Sequence, residues 1–283
     1  MRSSTLRTML WTWTKRILGL VFLGLLLFLG TRYVFLRPSL DRDWKVEHAV
    51  LPEIRIDGNE VHVKNVRSFV YRSADDFDPR YVDRTYHLDQ LETVWFVLSP
   101  FREDWRGPAH SFLSFGFADS TFVSVSVEAR KEVGENYSVW RGLVNTYELL
   151  YVIGEETDLV ALRAVHWNDD VFVYPIATSE ERVRELFLDM MTRAQQLAVR
   201  PEYYNTAWNN CTTNLYDHVE KLAPDSWSWD WRLLLPGYSD KLPYELGLIA
   251  TDLSLDEARE RYRVNDKAKA AFGDPRFSIL IRE

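Results

Sequence analysis

The residue types that can do covalent chemistry converge on Cys211, the one cysteine in 283 residues. A thiol acts as a nucleophile through its thiolate, and Cys211 opens a helical pattern in which Leu215, Val219 and Leu222 share its stripe. At a helix N-terminus the dipole and the unpaired N–H groups draw a thiol below its ordinary pKa of about 8.5. Asn209 or Asn210 is the expected cap of that helix. A nucleophilic thiol also needs a base, and His110 begins residues 110–117, which read as a strand of the sheet on which the helix packs. In the following run, 121–128, Phe122, Ser124, Ser126 and Glu128 alternate with Val123, Val125 and Val127. Glu128 thus ends a mostly polar face beside the histidine strand, where it can orient the imidazole.

Plainer readings stand beside these. A solitary cysteine on an apolar stripe also reads as a packed core residue, His110 as a half-buried strand residue, and Glu128, followed by Arg130 and Lys131, as one end of a surface ion pair. His218 lies seven residues beyond Cys211, about 10 Å along a helix, too far to take its proton, and is expected to be structural. Residues 166–170 (HWNDD) sit between two strand patterns and read as a hairpin turn rather than a metal site. Trp227, Trp229 and Trp231 alternate with polar residues, as expected of a lipid-headgroup contact or of a packed edge.

The elements that must position this chemistry are legible from periodicity. Residues 53–62 alternate around Asp57-Gly58-Asn59, a hairpin signal, and 93–98, 110–117, 121–128, 149–153, 159–165 and 171–176 are short β-rich runs, together an antiparallel sheet. Thr178-Ser179-Glu180-Glu181 is a capping-box sequence; Val183, Leu186, Phe187, Met190, Met191 and Ala194 then follow at helical spacing. A helix over 255–263 and a last strand over 277–281 complete an α+β domain spanning 53–283.

Ahead of that domain, residues 17–30 carry no charge, and Arg2, Arg7, Lys15 and Arg16 precede them. No small-x-small cleavage signal follows, so 17–36 reads as an uncleaved transmembrane anchor, with 1–16 as its basic cytoplasmic end and 37–52 as a linker. Trp11, Trp13 and Tyr33 suit the two interfaces, and the positive-inside rule puts the main domain across the membrane, so the lipid bilayer is one expected partner. A net charge of −8 argues against a nucleic-acid partner. One cysteine excludes an intramolecular disulfide and a multi-cysteine zinc site; no cofactor or metal is expected.

The segments GPAHSFLSFGF, SVSVEARKE and YYNTAWNNCTTNL resemble the periplasmic domain of Lnb-type lipoprotein N-acyltransferases from Bacteroidota, over roughly residue 61 to the C-terminus. The order His110, Glu128, Cys211 is also similar to circularly permuted NlpC-type papain-like enzymes. The resemblance implies a periplasmic papain-like domain at a bacterial inner membrane and a thioester mechanism on lipoprotein or other acylated envelope substrates. In it Cys211 attacks an acyl carbonyl, His110 shuttles the proton, the Cys211 N–H enters the oxyanion hole, and Asn205 or Tyr204 beside Asn210 supplies the second donor. The resembled acyltransferases carry a multi-span membrane region after this domain; here the apolar segment stands before it. A peptidoglycan amidase or peptidase, and a non-catalytic envelope scaffold, are the alternatives.

Overall fold

Uncharged residues 17–30 and the basic stretch before them form one continuous helix, α1 (Arg2–Phe35). Its segment Trp11–Arg32 is the one candidate, among the described residues, long and apolar enough to cross a membrane. This segment starts at Trp11, six residues before Ile17, and Lys15 and Arg16 lie over the Trp11 and Trp13 rings at 4.8 and 5.7 Å. The computed structural model describes residues 2–101, 107–222 and 236–283, and it divides into two compact units, Met1–Ser39 and Leu40–Glu283.

The second unit is a mixed α+β fold. In chain order it contains α2 (Val46–Ala49), β1 (Glu53–Asp57), β2 (Glu60–Arg67), β3 (Val70–Tyr71), β4 (Phe77–Asp78), β5 (Tyr81–His87), β6 (Leu91–Pro100), β7 (Ala109–Phe117) and β8 (Phe122–Arg130). There follow α3 (Val139–Leu143), β9 (Glu148–Gly154), α4 (Glu156–Ala161), a π-helical turn (Leu162–Trp167) and β10 (Phe172–Pro175). Next come α5 (Glu180–Leu197), α6 (Cys211–Leu222), α7 (Lys241–Glu245), α8 (Leu255–Tyr262), α9 (Asn265–Ala271) and α10 (Phe277–Leu280). Residues 42–49, expected in a linker, are folded onto this unit: the backbone N–H of Lys45 donates to Lys131 and His48 is buried.

The main sheet runs β1-β2-β9-β8-β7-β6-β10, with β5 also on β2. It is mixed rather than wholly antiparallel, because β2 and β9 meet in parallel at Arg67–Gly154. The β1–β2 hairpin turns at Gly58, whose φ of 57° favours a residue without Cβ. Strict alternation in β8 puts Val123, Val125 and Val127 into the larger core, with α5 and α6 on that face. Helix α5 is preceded by Ser179, which accepts a hydrogen bond from Arg182 N, so Ser179 rather than Thr178 is the cap. Phe187 packs its ring against Tyr86, Phe115 and Phe117, and burying such a side chain contributes about 1.5–3 kcal/mol.

The other face carries α4, the π turn, α9 and α10, packed on Phe112, Leu150 and Val152. Two expectations fail here. Residues 159–165 are helical and π-helical, not a strand, and 277–281 begin α10, not a last strand. Both segments lie largely within the fold, so they present apolar runs with no polar stripe to show a helical period. HWNDD accordingly ends the π turn, with Asn168 in the left-handed region at φ 55°, and is not a hairpin. Trp227, Trp229 and Trp231 lie outside the described residues.

Candidate functional site

Strands β7 and β8 pair from Gly116–Phe122 to Phe112–Ser126 and then stop. Each keeps pairing with its outer neighbour, β7 with β6 as far as Ala109 and β8 with β9 as far as Arg130. The two strands therefore part at the end where His110 and Glu128 stand. The N-terminus of α6 comes to this opening: Ser111 Oγ lies 3.2 Å from Thr212 Oγ1.

His110, Ser126 and Glu128 share the face of Phe112, whereas Cys211 belongs to the core on the other face. The thiol and the imidazole nevertheless influence each other electrostatically. His110 Nε2 lies 2.7 Å from Ser126 Oγ and 3.1 Å from Glu128 Oε1, and Ser126 Oγ donates to the same carboxylate oxygen at 2.8 Å. Nε2 is thus directed to the carboxylate and Ser126, and Nδ1 is the ring nitrogen that neither of them engages. Arg163 Nη2, from the π turn, donates to Glu128 Oε1 at 2.9 Å, and its guanidinium lies over the Phe112 ring at 5.3 Å. π-helical turns often occur where a side chain must be re-aimed at a functional position.

The electrostatics favour charge separation. Burial pushes the Cys211 thiol up, but the His110 hydrogen bond and charge, the Ser111 N–H and the Thr212 hydroxyl outweigh it, and the thiol is drawn down overall. Burial pulls His110 down most strongly, but the Glu128 charge together with hydrogen bonds to Cys211 and Glu128 outweighs it and the Arg163 charge, so the imidazole is raised. Burial lifts Glu128, but His110 and Arg163 hold it well below the usual carboxylate range.

The remaining expected residues divide by task. Asn210 caps α6: its Oδ1 accepts from Thr213 N at 2.9 Å and its Nδ2 donates to Thr206 O at 2.7 Å. Asn205 is committed to its loop, with Nδ2 donating to Leu143 O and Asn145 Oδ1 and Oδ1 accepting from Ala207 N. Tyr204 is the one near the thiol: burial, followed by the Cys211 charge, raises its phenol well above the usual value, so it keeps its proton. Its Oη is 3.3 Å from that of Tyr137, which senses the same thiol. His218 bridges Asp189 Oδ2 (2.6 Å) and Tyr151 Oη (2.7 Å), while Asn214 ties Tyr151 to Asn209 and to the Asn210 carbonyl. This chain of hydrogen bonds braces the turn that carries Cys211. No group of three or more His, Cys, Asp or Glu side chains that could hold a metal occurs among the described residues.

Sequence reasoning missed Tyr137, Ser111 and Arg163. The Ser-Val alternation of β8 already puts Ser126 on the polar face, whereas Arg163 is hidden when its segment is read as a strand.

The fold defines an α+β domain carried behind one apolar helix, with His110 and Glu128 in contact where β7 and β8 part and Cys211 opening α6. The chain belongs to the Lnb N-terminal periplasmic domain family, whose model matches residues 77–237, more than half of its length. No curated protein and no solved structure matches the chain. A periplasmic family and a single apolar helix fit a single-pass membrane protein of the cell envelope.

Proposed function

We propose that the chain is a thiol-dependent acyltransferase or hydrolase of the permuted papain-like kind, held at the bacterial inner membrane by α1 with its N-terminus cytoplasmic and its site in the periplasm. The substrate class is an acylated envelope molecule, with lipoprotein acyl chains the foremost candidate. What supports this reading is Cys211 at the N-terminus of α6, His110 Nε2 at 3.1 Å from Glu128 Oε1, and a thiol drawn down with His110 as the foremost opposing cause.

The Cys211 thiolate attacks the acyl carbonyl, and the electron pair moves onto oxygen. That oxyanion meets the Cys211 backbone N–H and the Tyr204 O–H, while Asn205 and Asn210 hold the loop that presents them. As the tetrahedral intermediate collapses, the His110 imidazolium gives its proton to the departing alcohol or amine, leaving a thioester and neutral imidazole. An incoming amine or water then loses a proton to His110 and attacks the thioester, and the acyl group leaves with it as the thiolate–imidazolium pair is restored. Glu128 touches no reacting atom; it positions and charges His110.

Replacing Glu128 with glutamine removes the largest contribution that raises the imidazole. The imidazolium then titrates at lower pH and holds the thiolate less well, so the thiol titrates higher. Alkylation of the full chain with iodoacetamide, followed from pH 5 to 9, is expected to move its inflection upward. The rate near pH 6 then falls about tenfold for each pH unit that the inflection moves. An inflection that stays in place in Glu128→Gln would detach the carboxylate from the thiol and defeat the assignment.

A further inference from the structure

We infer that the surface formed by α3 and the 205–209 loop docks on a lipid bilayer, so that acyl chains enter the site from the membrane side. Trp140 on α3 is 79% exposed and Trp208 on the loop 65%, unusual for the largest aromatic side chain, and Val133 and Val139 are exposed with them. The two segments are tied together: Thr206 Oγ1 donates to Val139 O at 3.0 Å, and Gly142 fits so closely under Thr206 that a Cβ there would stand 2.1 Å from its Oγ1. Exposed tryptophans on such a braced support suit the headgroup boundary, where an indole keeps its N–H in the wet layer and its ring in the apolar one.

The occupant follows from where the folded unit begins. Arg42 pairs with Glu132 and with buried Glu148, each at 2.8 Å, and Val133 N donates to Asp43 O at 2.7 Å. Glu148 in turn bridges to Tyr203, at the start of the segment that carries Tyr204, Asn205 and Trp208. The first residues of the unit are thus laid along the base of the tryptophan-bearing surface. Residues 36–39 join them to the apolar helix, and four residues reach at most about 14 Å. A bilayer holding that helix is the apolar phase in reach of this surface, which a soluble partner protein is not bound to be.

An aromatic series leads inward to the thiol. Phe101, 42% exposed, meets Tyr137 edge-on at 6.5 Å, and Tyr137 meets Tyr204 at 6.0 Å, beside Cys211. Such a series can accept an acyl chain and bring its carbonyl to the sulfur. The docking surface rests on the proposed function and deepens it, but its test does not use the thiol.

In the full chain carrying Cys211→Ser, Trp140→Cys and Trp208→Cys are labelled one at a time with an environment-sensitive fluorophore, and Phe272→Cys is the control, just beyond α9 on the other face. Each protein is placed in nanodiscs of phosphatidylethanolamine and phosphatidylglycerol containing doxyl-labelled lipid. Quenching at positions 140 and 208 and not at 272 is expected. Absence of quenching at both tryptophan positions, equal quenching at all three, or a signal that follows protein density rather than doxyl lipid and so reports a second copy, overturns the proposal. Failure here with a low-pH-reactive Cys211 would leave the thiol chemistry standing; success with an inert thiol would leave the docking standing.

Discussion

Replacing His110 with alanine is expected to slow alkylation of Cys211 at pH 6.5 by at least about tenfold. The thiol is 4% exposed, and burial by itself pushes it up. The imidazole supplies the foremost opposing contributions, first as a hydrogen-bond partner and then as a charge. Without it, the Ser111 N–H, the Thr212 hydroxyl and the helix terminus remain, and each is a partial dipole rather than a full charge. The thiol then returns toward or above its ordinary value, and its pH profile loses the low-pH shoulder. The variant also leaves Glu128 with Arg163 and Ser126, so the carboxylate stays paired and the fold is retained. Circular dichroism checks that retention. An unchanged profile in a folded His110→Ala protein would mean that the imidazole and thiol are packed neighbours and no more.

The second large effect concerns stability. Asp158→Ala is expected to cost roughly 3–5 kcal/mol, a large part of the roughly 5–15 kcal/mol that holds a domain together. Asp158 is fully buried and receives Arg67 Nε and Nη2 at 2.9 and 2.8 Å, with the Phe69 N–H on the same carboxylate at 2.9 Å. Removing it strands a buried guanidinium, which retains the Glu47 carbonyl at 3.3 Å, and a buried amide. Arg67→Met combined with Asp158→Leu removes both charges at once and is expected to recover part of the loss, because the cost lies in the unpaired charge more than in the missing bond. Urea unfolding in detergent, followed by tryptophan fluorescence, measures both. A loss below about 1 kcal/mol in Asp158→Ala would show that water or rearrangement reaches the arginine. The effect also bears on the site, since α4 carries Asp158 and runs directly into the turn that aims Arg163 at Glu128.

The site is more legible in the sequence than the architecture around it. Cys211 at a helix start, His110 in a strand and Glu128 on the polar face of the next strand all follow from short-range periodicity, and each stands on the expected element. That β7 and β8 part beyond Phe112–Ser126 does not, because strand splitting depends on which outer neighbour each strand keeps. The parallel junction between β2 and β9 is hidden for the same reason: it joins residues 67 and 154, and local alternation carries no record of so distant a pairing. Strand β5 leaves little trace because Tyr81–His87 is largely exposed and polar, with one buried residue, Tyr86. Helices α4 and α10 read as strands because a short apolar run fits a buried strand as well as a buried helix, and acidic Glu156 and Asp158 at the start of α4 are the only local sign of a helix N-terminus. Both carboxylates are absorbed in buried pairs, with Arg282 and Arg67 respectively, which no spacing rule connects.

The central claim is that Cys211 accepts an acyl group. Full-length protein in nanodiscs is incubated with a synthetic diacylated lipopeptide and with phospholipid alone, quenched in acid, and its intact mass recorded with and without hydroxylamine, which cleaves thioesters. One acyl mass on the wild-type chain, removed by hydroxylamine, mapped to Cys211 and absent from Cys211→Ala, is the predicted result. A chain that stays unmodified with either donor, and whose native thiol resists alkylation from pH 6 to 9, would contradict the account and make Cys211 a core residue of an envelope binding protein.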